Sequence, residues 1–379
     1  MTTIGILGGG AAARLLAQAA QRIGVNVAVL DPDQFSPAMQ VTGLGVSGSW
    51  DDDDVLAAFA DAVDAVTIEG DNVSSARVAH VAQRGRLIRP GADTLACIRN
   101  KARLKQTLRS AGLPVAPFAA ISTADDLRAF AAQHDYPILL QVLQDGETVI
   151  RSSRIDSEQD LAPTWERLAD SHSVLLVEKL VSPAREWALV VVRGHDGQIV
   201  TYPVVEVLRW KGMIHVIRAH QRGFDHPGSD MGKAAVQAIE GVGAFGIELV
   251  ELADGGRLIS DVSAGVHDAG LFTIEGCLTS QFENHVRAVL GLPLGWPDML
   301  KPAAVTVNCL GVGKPMPGPR DFVRALSYRG ARLHWYGERA CREGQSMGHI
   351  TAIHDSLAEA ERIARMAAGD LMSASAWFV

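Results

Sequence analysis

The first thirty residues alternate between a strand, a helix and a second strand, and this order most restricts the fold. Thr3–Leu7 is a short apolar run, Gly8-Gly9-Gly10 predicts a tight turn, and residues 11–23 are rich in Ala and Leu. A second apolar run covers residues 25–30. Two strands separated by a helix pair in parallel, because the helix returns the chain to the starting edge of the sheet. The sequence therefore predicts an α/β protein that opens with a βαβ unit.

The glycine turn also fits a dinucleotide-binding motif. Residues 8–13 read GGGAAA, which satisfies G-x-G-x-x-A, and Asp31 lies where an acidic residue would bind a dinucleotide ribose. Glycine in such a turn can equally serve close packing or a positive φ. A nicotinamide-dependent dehydrogenase and a purely structural turn both remain open from these residues.

Residues 243–270 predict two short strands joined by a turn at Asp254-Gly255. A two-residue loop would pair Ala253 with Gly256 and bring Glu248 opposite Asp261. Opposite side chains lie about 4.5–5.5 Å apart, where like charges destabilise a sheet. Mg²⁺ prefers carboxylate oxygens and often binds nucleotide phosphates as well. The pair indicates either a metal site or a solvated acidic face.

Composition and charge exclude some classes of function. The formal net charge is −8 and the pI is about 5.8, which predicts no nucleic acid or anionic membrane as partner. The four cysteines lie far apart without a metal-ligand spacing, so reduced, mostly buried thiols are expected. The first apolar run is too short for a signal peptide or a membrane span, which predicts a cytoplasmic location.

The way in which the pattern of predicted strands and helices changes along the chain predicts three domains. Residues 1–97 form the parallel βαβ domain, residues 98–290 a mixed domain with a lid subdomain at about 114–178, and residues 291–379 a β-rich domain. One helix is predicted over residues 92–112. It carries Lys101 and Lys105 four residues apart and therefore on one face.

The order of these parts, together with several strings, resembles the carboxyaminoimidazole ribonucleotide synthetase family of the ATP-grasp superfamily. The strings are ILGGG with VLDPD, PVAPF at 114–118, TIEGCLTSQFENHVRAVLGLPLG at 273–295, and LHWYG with MGHIT. The resemblance implies an ATP-grasp fold, a preceding pre-ATP-grasp βαβ domain and a small β-rich C-terminal domain. It also implies an ATP-dependent ligase that carboxylates aminoimidazole ribonucleotide with bicarbonate through carboxyphosphate. The dehydrogenase interpretation loses support, because the superfamily's first domain shares these glycines.

The resemblance assigns roles to individual residues. Glu248 and Asp261 match the two magnesium-binding carboxylates, and Lys101 matches a basic residue that helps bind nucleotide phosphates. His267 matches the histidine of the substrate loop and is the candidate catalytic residue.

The candidate nucleotide site lies further along the middle domain. Glu178 and Glu186, which flank Val181, match the family's adenine hinge and ribose contacts. The implied cofactors are ATP and Mg²⁺, and the implied partners are a small-molecule substrate and a second copy in a homodimer.

Several family positions are changed in this chain. Gln141 replaces a phosphate-contacting lysine, and the glycine-rich loop that follows is shortened to VLQDGET at residues 142–148. Gly265, Leu271, Glu338 and Gln345 replace basic residues of the substrate site. Charge-assisted hydrogen bonds contribute about 1.5–3 kcal/mol each, so phosphate binding should be weaker. The alternative is therefore a repurposed or inactive paralogue that acts on another substrate or as a binding or regulatory protein.

Overall fold

A computed structural model of the chain describes residues 2–70, 73–144, 148–169, 174–313 and 316–372. Its N-terminal part is a parallel sheet with helices between the strands. The elements are β1 (Thr3–Leu7), α1 (Ala11–Arg22), β2 (Asn26–Asp31), β3 (Leu44–Ser47), α2 (Asp53–Asp61), β4 (Ala65–Ile68), α3 (Ser75–Gln83) and β5 (Leu87–Ile88). The strand order is β3-β2-β1-β4-β5, so the predicted βαβ opening is confirmed. Strand β3 was not predicted, because all of its residues are exposed and it lacks an apolar face.

The single helix predicted over residues 92–112 is two helices, α4 (Ala92–Arg99) and α5 (Lys101–Ser110). Asn100 separates them with a ψ of 95°, and its side chain accepts a 2.8 Å hydrogen bond from Arg103 N. An N-cap residue adopts an extended backbone while its side chain satisfies a free N–H of the next helix, so the first helix ends there. The break makes Lys101 the first residue of α5.

The next segment forms a small antiparallel sheet. Its elements are β6 (Phe118–Ile121), α6 (Ala124–His134), β7 (Ile138–Gln144), β8 (Thr148–Ile155), α7 (Leu161–Leu168) and β9 (Val174–Lys179). The strand order is β6-β9-β7-β8, and its core is one apolar cluster that includes Leu140, Val177 and Phe130. The centre of the shortened loop, residues 145–147, lies outside the described residues.

The rest of the chain builds one large sheet. Its elements are β10 (Arg185–Arg193), β11 (Ile199–Thr201), β12 (Val205–Trp210), β13 (Met213–His220), α8 (Gly228–Ala238), β14 (Gly243–Glu251), β15 (Arg257–Ala264), α9 (Thr273–Gly276), α10 (Gln281–Leu290), β16 (Ala303–Leu310), α11 (Pro319–Ser327), β17 (Ala331–Trp335), β18 (Ser346–His354) and α12 (Leu357–Met372). The order is β15-β14-β10-β12-β13-β16-β18-β17, with β11 beside β10. The C-terminal strands therefore continue the sheet of the middle domain through the β13–β16 pair.

Three of the four thiols are buried, namely Cys97, Cys277 and Cys309, and all four are free, as the spacing predicts. Within the described ranges, none of the helices combines the length and the apolar character needed to cross a bilayer.

Candidate active site

The hairpin of β14 and β15 places Glu248 opposite Asp261, as predicted, but the loop differs from the predicted one. Leu252 N donates a 2.8 Å hydrogen bond to Gly256 O, and Gly255 has a φ of +84°. The loop therefore contains three residues, with glycine in the left-handed position that a three-residue hairpin requires. The predicted pairing of Ala253 with Gly256 is wrong.

A β-bulge at Ser260 restores the predicted carboxylate pair. Leu249 pairs with Ile259 and Glu248 pairs with Asp261, so Ser260 faces no residue of β14. The longer loop shifts the register by one residue, and the extra residue in the bulge shifts it back. The carboxylate pair is confirmed because these two shifts cancel.

Glu248 is held by two side chains, Arg209 of the same sheet and His267 of the segment after β15. Arg209 of β12 donates from Nη2 to Glu248 at 2.6 Å and from Nε to Glu186 at 2.5 Å. His267 Nε2 lies 3.5 Å from the other oxygen of Glu248. Burial alone would raise the pKa of Glu248, but His267 and Arg209 outweigh it and lower this pKa to about 2. Glu248 is therefore ionised throughout the neutral range.

Asp261 has its own basic partner. Lys101 Nζ at the start of α5 lies 2.5 Å from Asp261 Oδ1. Both side chains keep access to solvent, with relative exposures of 32% for Lys101 and 42% for Asp261. The repulsion expected between the two carboxylates is thus already offset by Lys101 and Arg209.

The candidate nucleotide residues lie where the small sheet joins the large one. Glu178 is near the end of β9, Val181 follows in the connection, and Glu186 is near the start of β10. Lys105 Nζ of α5 donates to Glu178 Oε1 at 2.7 Å, and the Lys105 side chain is only 6% exposed. Helix α5 therefore binds a carboxylate of each sheet through its two lysines. Lys105 is a residue of this site that the sequence reasoning did not assign.

Gln141, at the position of the missing lysine, lies in the middle of the small sheet. It pairs with Ser152 of β8 and Leu176 of β9 and is half-buried.

A cavity of about 280 Å³ is lined in part by His267, whose ring also contacts Glu248. Its lining includes Ala12, Glu69, His267, Asp268, Tyr336 and Ser346. Of the described residues that line this cavity, none is Lys or Arg. Desolvation raises the pKa of Glu69 and of Asp268, and both residues line the cavity. The cavity is therefore acidic or neutral rather than basic.

His267 joins this cavity to the carboxylate pair. Its Nδ1 accepts a 3.2 Å hydrogen bond from Ala269 N, which leaves the ring proton on Nε2, the atom that faces Glu248. The amide of Gln281 binds both the N–H and the C=O of His267, at 3.0 and 2.7 Å. The ring is thus fixed as a donor between the two parts of the site.

The N-terminal glycine turn contacts Glu69, a residue that lines the cavity. Gly10 N donates to Glu69 Oε2 at 2.6 Å, and a Cβ atom at Gly10 would collide with the same carboxyl group. Asp31 accepts hydrogen bonds from Gly9 N and Asp33 N, both at 2.7 Å. One oxygen of Asp31 therefore supports the glycine turn and the other supports the segment after β2, which explains the motif without a dinucleotide.

Three family models match successive parts of the chain. They are the ribonucleotide synthetase preATP-grasp domain at residues 1–99, the ATP-grasp domain at residues 106–282 and the phosphoribosylaminoimidazole carboxylase C-terminal domain at residues 304–363. The N5-carboxyaminoimidazole ribonucleotide synthase of Mycobacterium tuberculosis is 32% identical over 378 residues, covering 96% of this chain and 86% of that protein. This chain belongs to the N5-carboxyaminoimidazole ribonucleotide synthase family.

Solved synthases support the same assignment. The Thermus thermophilus structure has a TM-score of 0.86 and 31% identity and covers 99% of both chains. The Aspergillus clavatus synthase in complex with ADP and 5-aminoimidazole ribonucleotide has a TM-score of 0.84 and 29% identity and covers 96% of both chains. The predicted family and the ATP-grasp fold class are confirmed. The domain boundaries and the roles of single residues remain predictions.

Some relatives of this synthase family are longer proteins. The chain spans 68%, 66% and 65% of the length of three phosphoribosylaminoimidazole carboxylases from two yeasts and a plant. Only their synthase-like part is therefore comparable with this chain.

Proposed function

We propose that this chain uses ATP to carboxylate 5-aminoimidazole ribonucleotide with bicarbonate. A bicarbonate oxygen attacks the γ-phosphorus of ATP, ADP leaves, and the acceptor amine then displaces phosphate from carboxyphosphate and loses a proton. The observation that carries the proposal is the contact of His267 with Glu248, since it links the candidate metal carboxylates to the acceptor cavity. Relatives with bound ATP, and with ADP and the ribonucleotide, provide the chemical precedent.

Glu248 and Asp261 suit Mg²⁺, because both offer carboxylate oxygens on paired residues of one hairpin. When bound there, Mg²⁺ would screen the negative charge of the triphosphate. Lys101 would then be released from Asp261 and could reach a phosphate oxygen. Arg209 would keep Glu186 and Glu248 in fixed positions, since it donates to both.

His267 acts in this proposal as a hydrogen-bond donor rather than as a base. Its Nδ1 already accepts a hydrogen bond from the backbone, and its Nε2 proton faces the boundary between the cavity and the carboxylates. A donor at that place can orient the transferred carboxyl group toward the acceptor amine. Gln281 supports this orientation by holding the backbone on both sides of the ring.

The test is an assay of phosphate release from ATP with bicarbonate and 5-aminoimidazole ribonucleotide, each added alone and together. Isotope-labelled bicarbonate and mass spectrometry identify the carboxylated product. The pair should stimulate turnover, and Glu248→Gln and His267→Asn should lose it. A matched control is Glu251→Gln on the same strand, whose carboxylate binds Arg257 outside the site. Nucleotide binding without stimulated turnover would contradict the proposed reaction.

A second candidate acceptor is an amine without a phosphate group. The acidic lining of the cavity favours such an acceptor over a phosphorylated one. Glu69 and Asp268 line it, and Glu338 stands where the family resemblance places a lysine. A phosphate dianion next to carboxyl groups that lack a cation is electrostatically unfavourable. The same assay with the dephosphorylated nucleoside separates the two acceptors. Stronger stimulation by the nucleoside would assign the second candidate.

We also propose that the chain forms a homodimer and works in the cytoplasm. Three large apolar side chains are exposed next to one another, Leu278 at 62%, Trp296 at 74% and Leu300 at 50%. Backbone hydrogen bonds from Leu278 to Asp298 and from Leu300 to Gly276 bring these segments together. An exposed apolar patch of this kind is typical of a protein interface. Light scattering of wild type and Trp296→Ser should show a dimer that the substitution weakens.

A further inference from the structure

Glu275, His334 and His349 converge at the border between the C-terminal strands and α9. His334 of β17 and His349 of β18 are direct cross-strand partners, and their rings are stacked with centroids 4.6 Å apart. Glu275 of α9 reaches the pair, with Oε1 2.6 Å from His334 Nε2. One ligand atom from each residue lies within 4.8 Å of the other two. Three side chains of types that can bind a metal thus meet at a place that shares no residue with the Glu248–Asp261 pair.

Two polar atoms of this cluster are buried without a hydrogen-bond partner. His349 is completely buried, and its Nε2 is unpaired. Glu275 Oε2 is unpaired as well, although Oε1 binds His334. Buried polar atoms in folded proteins nearly always have a partner, so two unpaired atoms in one cluster indicate a missing donor or cation.

The second ring nitrogen of His349, Nδ1, makes a hydrogen bond of the kind that metal-binding histidines make. Its Nδ1 lies 2.6 Å from the hydroxyl of Tyr336, which is itself buried. When Nδ1 donates to that hydroxyl, Nε2 carries the free lone pair. Metal-binding histidines typically hold their second nitrogen in a bond of this kind.

We propose that Glu275, His334 and His349 bind one divalent transition-metal ion, with Zn²⁺ as the best match. Two imidazoles and one carboxylate form a recurrent zinc ligand set that leaves a fourth position for water. Mg²⁺ fits poorly, because it prefers oxygen ligands in octahedral geometry. Bond lengths of about 2.0–2.2 Å place tetrahedral ligand atoms about 3.4 Å apart. Binding therefore requires the three ligand atoms to approach one another and the stacked rings of His334 and His349 to rotate until both lone pairs converge on the ion. His334 would give up its Nε2 proton on binding, either to solvent or to its own Nδ1.

A cavity beside His334 would give the ion a route to the cluster, and the bound ion would connect neighbouring elements of the fold. His334 also lines a second cavity of about 290 Å³, together with Arg22, Cys277 and Glu283, and this cavity can admit the ion and its water. Bound metal would tie β17 and β18 to α9. Through His349 it would also hold Tyr336, which lines the acceptor cavity.

The test measures metal content in the full chain without nucleotide. Protein stripped with a chelator is equilibrated with Zn²⁺, freed of excess metal and analysed by mass spectrometry. Wild type should retain one zinc per chain, gain thermal stability from zinc, and show the visible bands of a tetrahedral ion when Co²⁺ is used instead. Glu275→Gln and His334→Gln should weaken zinc binding by more than about tenfold, a loss known even for outer-shell substitutions.

Two control variants make the result specific. His195→Gln removes an exposed histidine elsewhere, and Glu248→Gln removes a carboxylate of the active site; both should retain the zinc. Glu275→Gln keeps an oxygen that can accept from His334, and circular dichroism verifies its fold. Equal zinc content in wild type and Glu275→Gln, or no retained zinc and no cobalt bands, would overturn the proposal. Either result would leave the proposed carboxylation untouched, since metal content and turnover are measured separately.

Discussion

The substitution Glu248→Gln tests the charge balance of the active site directly. Burial, His267 and Arg209 together set the pKa of Glu248 to about 2, against an ordinary value of 4.5. A depressed pKa means that the folded state favours the ionised form, so Glu248 stabilises the fold above pH 4.5 and loses this contribution as the pH falls toward 2. This difference between the two pKa values corresponds to about 3 kcal/mol of unfolding free energy at neutral pH. About 2 kcal/mol of that contribution should be lost at pH 3.

The assay is urea unfolding of wild type and Glu248→Gln from pH 7 to pH 3. The difference between their unfolding free energies should be largest at neutral pH and should narrow by about 2 kcal/mol at pH 3. Titrating groups that do not interact with Glu248 cancel, because both proteins contain them. Glu166→Gln, an exposed helix position, is the control and should show a small difference at every pH. A difference for Glu248→Gln that stays constant with pH would refute the inferred stabilisation of the Glu248 carboxylate by Arg209 and His267.

Three further predictions follow from single contacts. Lys105→Met leaves Glu178 without its buried partner and should lower the unfolding free energy by about 3–5 kcal/mol. Adding Glu178→Leu to this variant should restore most of the lost stability. Equal urea midpoints for wild type and Lys105→Met would contradict this prediction. Mg-ATP should raise the Tm, and Asp261→Asn should remove the Mg²⁺ dependence of that rise. A Mg²⁺ dependence that Asp261→Asn leaves unchanged would refute the assignment of Asp261 as a metal ligand. Asn100→Ala should cost about 1 kcal/mol through the lost cap of α5, and no loss in urea unfolding would refute the cap.

Local patterns predicted the regular parts of this fold well. The strands β1 and β2 and the helix α1 lie close to their predicted positions, because short apolar runs mark buried strands and a longer Ala- and Leu-rich segment marks a helix. The helix break at Asn100 was missed, although Asn is a favoured N-cap and the signal was present. Strand β3 lies on an edge with every residue exposed, so it has no apolar pattern to detect.

The hairpin shows how a correct site can rest on a wrong local detail. The Asp-Gly turn located the hairpin, and the Glu248–Asp261 pair is observed. The loop has one residue more than predicted, and only the bulge at Ser260 restores the pairing. A bulge depends on how the strand bends against its neighbours, which the sequence of one hairpin does not encode.

The sequence by itself determined the family and the α/β architecture and supplied candidate site residues, because motifs and apolar periods are local properties of the chain. Only the tertiary structure decided which charges meet. Arg209 reaches Glu248 across 39 residues, Lys105 reaches Glu178 across 73, and His334 reaches Glu275 across 59. Ion pairs of this kind depend on strand order and on which face a side chain occupies, and neither is a property of spacing along the chain. The structure thereby shows that the carboxylates of the candidate site are already paired with basic groups, and it reveals a separate cluster that can bind a metal.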